Sequence, residues 1–462
     1  MRWSFLTRAA LCLLLPTGPA LAGCAGSSGT DVGRSICISA DREGYSSEAS
    51  NLSVTVKFGA VVTSTGGDAA IDISEEDTTL VNNGTLRSSD NAVRGGRGFA
   101  LLNTGAIAAS RNAIELSGES DVEIRNSGQI LATYQAINMD ARDGFGGVGN
   151  SLVNEGQIVS TRGEAVEAGD EARIHNAAGA VMQAYDDAVQ VGERAKIVNH
   201  GVIRTTGMAG DPQDAIDIDS GRIVNGAGGR ILSDMEAAID FDQSVIASVI
   251  DNAGEISGVK GIIVETHASI ANVAVQEVIN RAGGLIVGRG GLALRLGAGE
   301  DRLVNHAGAR IDGSVDMGPD ADVIVLQGNY QGSFGGKGGV IDGGIGTDRL
   351  ELPEYSIDQI TDVSLMRDGV VLSLDNGAGP FRIALRNWES FEFGGTIYSA
   401  HQIAALAPQK ASLTRTILLA MGGLTGLGLI AARRRMRQGV RAARRACQRA
   451  FLSYQSVRRT SA

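Results

Sequence analysis

One short phrase recurs along the chain and constrains the fold more than any other feature. It reads LVNNGTL at Asn82, LLNTGAI at Asn103, IRNSGQI at Asn126 and LVNEGQI at Asn154. It returns as IHNAAGAV at Asn176, IVNHGVI at Asn199, IVNGAGGRI at Asn225, IDNAGEI at Asn252, INRAGGLI at Asn280 and VNHAGARI at Asn305. Successive Asn lie 21, 23, 28, 22, 23, 26, 27, 28 and 25 residues apart. An apolar run, an Asn, a Gly-containing turn and a second apolar run spell strand, tight turn, strand.

A second phrase lies between the copies. It reads AIDI at Asp72, AIEL at Glu115, AINM at Asn138, AVEA at Glu167, AVQV at Gln190, AIDI at Asp217 and AIDF at Asp240. Arg94 and Ile263 hold the same place in degenerate copies. Its period of two makes it a third short strand. Ile71, Ile114, Ile137, Ile216 and Ile239 point one way, and the residue after each points the other way, to solvent.

Three strands in each self-similar unit of this length predict an all-β chain, a right-handed parallel β-helix. Coils stacked about 4.8 Å apart give about eleven coils over residues 67–352, a rod about 50 Å long. Composition agrees. Gly accounts for 64 residues and aromatics for only 4%, as expected if Gly turns the corners with positive φ and aliphatic columns fill the interior. With 7 Pro and 4 Cys, the chain is neither collagen nor a disulfide scaffold. Its net charge of -11 argues against a nucleic-acid partner.

The Asn column, Asn82 to Asn305, is expected to be structural, with amides stacked along the axis. A buried amide left unpaired costs about 1–3 kcal/mol, so the ladder enforces register. Asp214, Asp217, Asp219, Asp240 and Asp242 form the densest acidic cluster. It reads as a solvated strand face, a cation site or paired carboxylates for glycan hydrolysis. A different phrase marks the late coils: LGAGEDRL at Asp301, MGPDADVIVL at Asp322 and GGIGTDRLEL at Asp348. The last matches a calcium-binding nonapeptide. Asp301, Asp322 and Asp348 are therefore candidate calcium ligands, although one copy per coil also fits plain corner turns. Calcium is the one cofactor the pattern suggests.

The two ends differ from the body. Arg2 and Arg8, the apolar run Ala9 to Leu15 and the small residues Ala20-Leu21-Ala22 read as a signal peptide over 1–22. Cys24 is open to two fates. Leu21-Ala22-Gly23-Cys24 resembles a lipobox, whereas a Cys24–Cys37 disulfide suits an oxidising compartment. The disulfide is favoured, because the apolar run stops at Pro16, well before the lipobox. Residues 413–432 read as a transmembrane helix. Residues 433–462 carry ten Arg and no Asp or Glu, leaving 31 basic against 52 acidic residues before them. The positive-inside rule places that tail in the cytoplasm. The ordered parts are then a cap at 23–66, repeats at 67–352 and closing coils at 353–405.

Residues 24–400 resemble the passenger of a bacterial autotransporter, in their xNxGxI coils, early Cys pair and late coils such as GGIGTDRLEL. Residues 353–400 resemble the coils that close such a rod. The resemblance implies a surface-exposed, often adhesive rod. The residues after 400 read as linker, apolar helix and Arg tail, not as the alternating strands of a translocator barrel. The expectation is an exported, non-enzymatic rod, adhesin-like or structural in the cell envelope, with a glycan or protein ligand. The alternative is a carbohydrate-active β-helix, a lyase or hydrolase. Its location is periplasmic or on the surface, anchored at the C-terminal end.

Overall fold

The computed structural model describes residues 35–407, apart from 117, 141–146, 209, 211, 243–244, 265–273, 328–338, 376 and 378–379. The signal peptide, Cys24, residues 413–432 and the tail 433–462 lie outside the described residues. The described residues belong to one compact unit ending at Ala407. Among them no helix is long and apolar enough to cross a membrane.

The repeats wrap into a parallel β-helix of about 11 turns. The first strands of successive coils form a 16-stranded ladder, parallel up to its last member, Thr396–Ser399. Second and third strands stack likewise, and they merge into one sheet where Glu255–Val264 and Leu285–Arg295 run through both positions. The ladder starts at Ser35–Ile38 and continues through Ser53–Val56, so described residues ahead of 67 already stack as coils.

Alternation explains most strands, although Ile137–Met139 and Ala237–Phe241 are buried along their whole length. In Glu123–Asn126, Ile124 and Asn126 are buried while Glu123 is exposed and Arg125 half-buried. The third strands place Ile71, Val93, Ile114 and Ile137 in register, each wholly buried. Burying one such side chain stabilises by about 1.5–3 kcal/mol relative to leaving it exposed. Like stacks on like, so the interior needs few aromatics; Phe99, Phe241 and Phe391 are its largest fully buried rings.

Glycine has two separate jobs at the corner after the Asn, which refines the expectation of positive φ throughout. In the short turn, a Cβ on Gly105 would lie 2.1 Å from the carbonyl oxygen of Gly84, one coil earlier. Close stacking excludes a side chain there, and φ is not positive. In the longer turn at Asn176, Gly179 has φ +84 and open space around it, so the left-handed backbone selects glycine.

The C-terminal end changes from parallel to antiparallel pairing. Ile360–Leu365, Gly369–Asp375 and Pro380–Arg386 form a meander whose last strand joins the parallel ladder at Val340–Asp342. Thr396–Ser399 folds back on Ser390–Phe393. Helix Ala400–Ala405 follows, with Ser399 capping the Gln402 N–H and Ile403 buried. Together these cover edges that would otherwise offer unpaired backbone groups.

Candidate functional site: an acidic saddle and three polar ladders

The Asn column forms as expected. Asn82 Nδ2 donates to Asn103 Oδ1 at 2.8 Å, and the same bond repeats through Asn126, Asn154, Asn176, Asn199, Asn225, Asn252, Asn280 and Asn305 at 2.7–2.9 Å. Each Nδ2 up to Asn280 also meets a backbone carbonyl of the next coil, as Asn199 does at Arg230. Val56 precedes the column and Leu326 follows it in register.

The column of Asp72, Glu115, Asn138, Glu167, Gln190, Asp217 and Asp240 is also in register, with Arg94 and Ile263 in the expected places. It does not simply face solvent. Most members are half-buried, and Asn138 and Asp240 are buried at 5% and 6% exposure. The cause lies three residues earlier. Asn112 Nδ2 donates to Glu115, and Gln135 donates across a coil to Glu167. Gln190 then donates to Asp217 Oδ2 at 3.2 Å, whereas Asn138 donates to Gln135 beside the column.

Those earlier residues form a second ladder that sequence reasoning missed: Asn91, Asn112, Gln135, Glu164, Asp187 and Asp214. Its signal is the polar residue before each Ala-Val or Ala-Ile pair. At Asn91, Asn112, Asp187 and Asp214 the side-chain oxygen accepts a backbone N–H of the next coil, whereas the Asp187 N–H, one coil after Glu164, goes to Asp186 Oδ1. Asn91 accepts from Asn112, Asn112 from Gln135, Asp187 from Asp214 and Asp214 from Ala237, the last two at 2.7 Å. Burial pushes the Asp187 carboxyl up to about 8 and Asp214 up to about 7, against the pull of those N–H donors. Burial also raises Glu164.

Beside this ladder the third-strand face dips into a groove of about 420 Å³. The dip follows from connection lengths. Residues 140–150 link one third strand to the next first strand; 169–172, 192–194 and 219–220 make the following links, and 242–247 and 265–275 the next two. The three shortest links thus lie between longer ones. Asp140, Glu167, Asp170, Asp217, Asp219 and Asp242 line the groove, with Gln190 among them. A Cβ on Gly192 would lie 2.4 Å from Asp170 Oδ1, so a side chain there would displace the Asp170 carboxylate. Burial, then Asp242, Asp170, Glu193 and Asp140, push Asp219 up to about 6. Of the predicted acidic cluster, Asp217, Asp219 and Asp242 meet in the groove, Asp214 sits in the ladder and Asp240 is buried in its strand.

Asp301, Asp322 and Asp348 make the third ladder, at the corner before the first strand. Asp301 Oδ1 accepts the Gln276 N–H at 2.7 Å, Asp322 Oδ1 the Asp301 N–H at 2.8 Å and Asp348 Oδ1 the Asp322 N–H at 2.9 Å. Glu389 continues it by accepting from Asp348. The three Asp are 0–1% exposed, and each Oδ2 is buried without a hydrogen-bond partner among the described residues. Burial above all pushes them up to about 8, 7 and 6 in chain order. Among the described residues no group of three His, Cys, Asp or Glu is placed to hold a metal ion.

In comparisons with known proteins, no family model, no curated protein and no solved structure matches the chain.

Proposed function

We propose that the chain is an exported, non-enzymatic interaction rod of the autotransporter-passenger kind, adhesin-like or structural in the cell envelope and tethered to a membrane. The observation that supports this reading is the acidic saddle. Its carboxylates and an amide line an open groove, while Glu167 and Asp217 also take bonds from Gln135 and Gln190. Such a lining accepts hydrogen bonds from the hydroxyls of a glycan or from the basic groups of a protein, and it repels nucleic-acid phosphate. On this reading the signal peptide sends the rod into an oxidising compartment, which suits a Cys24–Cys37 disulfide, with lipidation of Cys24 as the alternative. Residues 413–432 hold it in a membrane, with the Arg tail on the cytoplasmic side. Treating intact cells with external protease tests location. Cleavage of the rod favours surface display; protection until the outer membrane is permeabilised favours a periplasmic rod. A rod found with the cytoplasmic proteins sinks the reading.

One observation favours a carbohydrate-active alternative. Asp214 and Asp219 are held toward neutrality beside Asp217, and glycan hydrolysis pairs a carboxylic acid with a carboxylate. Turnover of polyuronates by the exported chain, abolished by Asp217→Asn, would replace the interaction reading.

A further inference from the structure

Beside the saddle the second ladder changes chemistry, and its coil-to-coil bond from a backbone N–H, diverted to Asp186 after Glu164, resumes at Asp187 and Asp214. Asn112 and Gln135 bring NH2 donors as well as acceptors, and they use them on Glu115 and Glu167. Glu164, Asp187 and Asp214 follow on three consecutive coils and bring acceptors alone. Asp187 accepts the Asp214 N–H, and Asp214 accepts the Ala237 N–H, both at 2.7 Å.

The groups facing them are mostly of the same sign. Asp186 faces Glu164, with the Gln135 amide on its other side. Asp217, Asp214 and Asp186 face Asp187. Asp217 and Glu236 face Asp214, and Lys260 is the cation recorded against it. Lys260 is already paired with Glu236. Carboxylates one coil apart repel by about 1 kcal/mol in water and by more where the surroundings are less polar.

We propose that Asp187 and Asp214 form a clasp, which stacks the coils beside the saddle when protonated and loosens them locally when ionised. Burial raises both groups, Asp187 to about 8 and Asp214 to about 7. The sign follows from linkage. A carboxyl raised in the folded state gives stability that is complete below its unfolded value near 4. That stability is lost as pH rises through the folded value, here up to about 8. The Asn ladder on the first-strand corner carries no titratable group and keeps the coils in register meanwhile. The clasp does not depend on what the saddle binds.

Native-state hydrogen exchange on the full chain tests it, with rates corrected for intrinsic exchange. Segments 186–192 and 213–219 are compared with 123–130, in the amide part of the rod. From pH 6 to 8.5 the opening of the first two should rise at least about tenfold relative to the third. Asp187→Asn with Asp214→Asn keeps the Oδ1 acceptors and should flatten that rise. Asp187→Asn alone should shrink it, and it serves if the double variant does not fold. An equal pH response in all three segments, or an unchanged response in the variants, overturns the clasp.

Discussion

The Asn ladder and the Asp ladder run along opposite ends of the first-strand stack, share only strand Arg302–Asn305, and meet the same demand with different chemistry. An amide both donates and accepts, so each Asn takes a bond from the coil before and gives one to the coil after. The column can lengthen by repetition, and here it passes through ten coils without adding charge. A carboxyl only accepts. Asp322 takes the Asp301 N–H, but its second oxygen has nothing to take among the described residues. Each added Asp also adds a charge beside the last one, so the column carries a growing cost. The two meet in strand Arg302–Asn305, with Asp301 before it and Asn305 at its end. One coil later, Asp322 keeps its place while Leu326 replaces the amide.

Breaking the amide ladder in its middle should have the largest effect. Asn199→Asp keeps the acceptor for Asn176 but removes the donor to Asn225 Oδ1 and to the Arg230 carbonyl. It also buries a charge against an oxygen. Loss of a buried partner together with an uncompensated charge costs about 3 kcal/mol or more. Urea unfolding at pH 7.5 reads this as a lower midpoint. A change within about 0.5 kcal/mol, the range of a neutral surface substitution, would show that the ladder does not hold the coils.

The next effect separates the two regions by pH. The three Asp are raised, so their contribution is complete below about 4 and falls as pH climbs through about 6 to 8. The late coils should therefore loosen as pH rises from 5 to 8.5, while the titration-free Asn ladder holds. Trp388 reports on them. It is 5% exposed, and its indole donates to the Ile341 carbonyl at 3.1 Å. Its emission should shift to the red at lower urea concentration at pH 8.5 than at pH 5. A midpoint independent of pH would mean that these carboxyls stay ionised and satisfied. A midpoint raised by calcium and lowered by a chelator would return them to a ligand role.

A smaller effect should reverse sign with pH. Asp322→Asn keeps the acceptor for the Asp301 N–H and removes the charge, at the cost of an NH2 group where Oδ2 has no partner. At pH 8.5 the lost repulsion from Asp348, Asp320 and Asp316 should stabilise the late coils. At pH 5 the carboxyl is already neutral, and the variant should be level with the parent or weaker by about 1 kcal/mol. The Trp388 midpoint at both pH values checks the crossing.

The same contrast explains what could be read in advance. The Asn ladder was legible because one residue type serves at every coil. The second ladder was not, because Asn, Gln, Glu and Asp hold one place in the repeat, and only the Asn and Asp members offer an oxygen to the next N–H. Identity changes while the place stays, so a search for repeated letters passes over it. The saddle escaped for another reason: it is a difference in connection length between coils in register, and the register becomes exact only when the strands are placed. Asp348 lies in a phrase shared by calcium turns and by simple corners, and only the bond from the Asp322 N–H shows the second use.

The smallest predicted effect tests position within the ladder itself. Asn305 ends the column. Its Oδ1 accepts from Asn280 at 2.8 Å, while its Nδ2 has no partner among the described residues. Asn305→Asp therefore removes a donor that is not in use. The incoming carboxylate keeps the bond from Asn280, and a charged acceptor makes a stronger bond than a neutral one. Against that stands the burial of a charge one strand away from Asp301. The two should nearly cancel, leaving a loss of about 1 kcal/mol or less. The same substitution at 199 and at 305 thus differs chiefly in whether the donor is engaged, with Asp301 at the far end of the strand adding to the cost at 305. Equal losses at both sites would mean that buried charge, and not the direction of the amide chain, sets the cost.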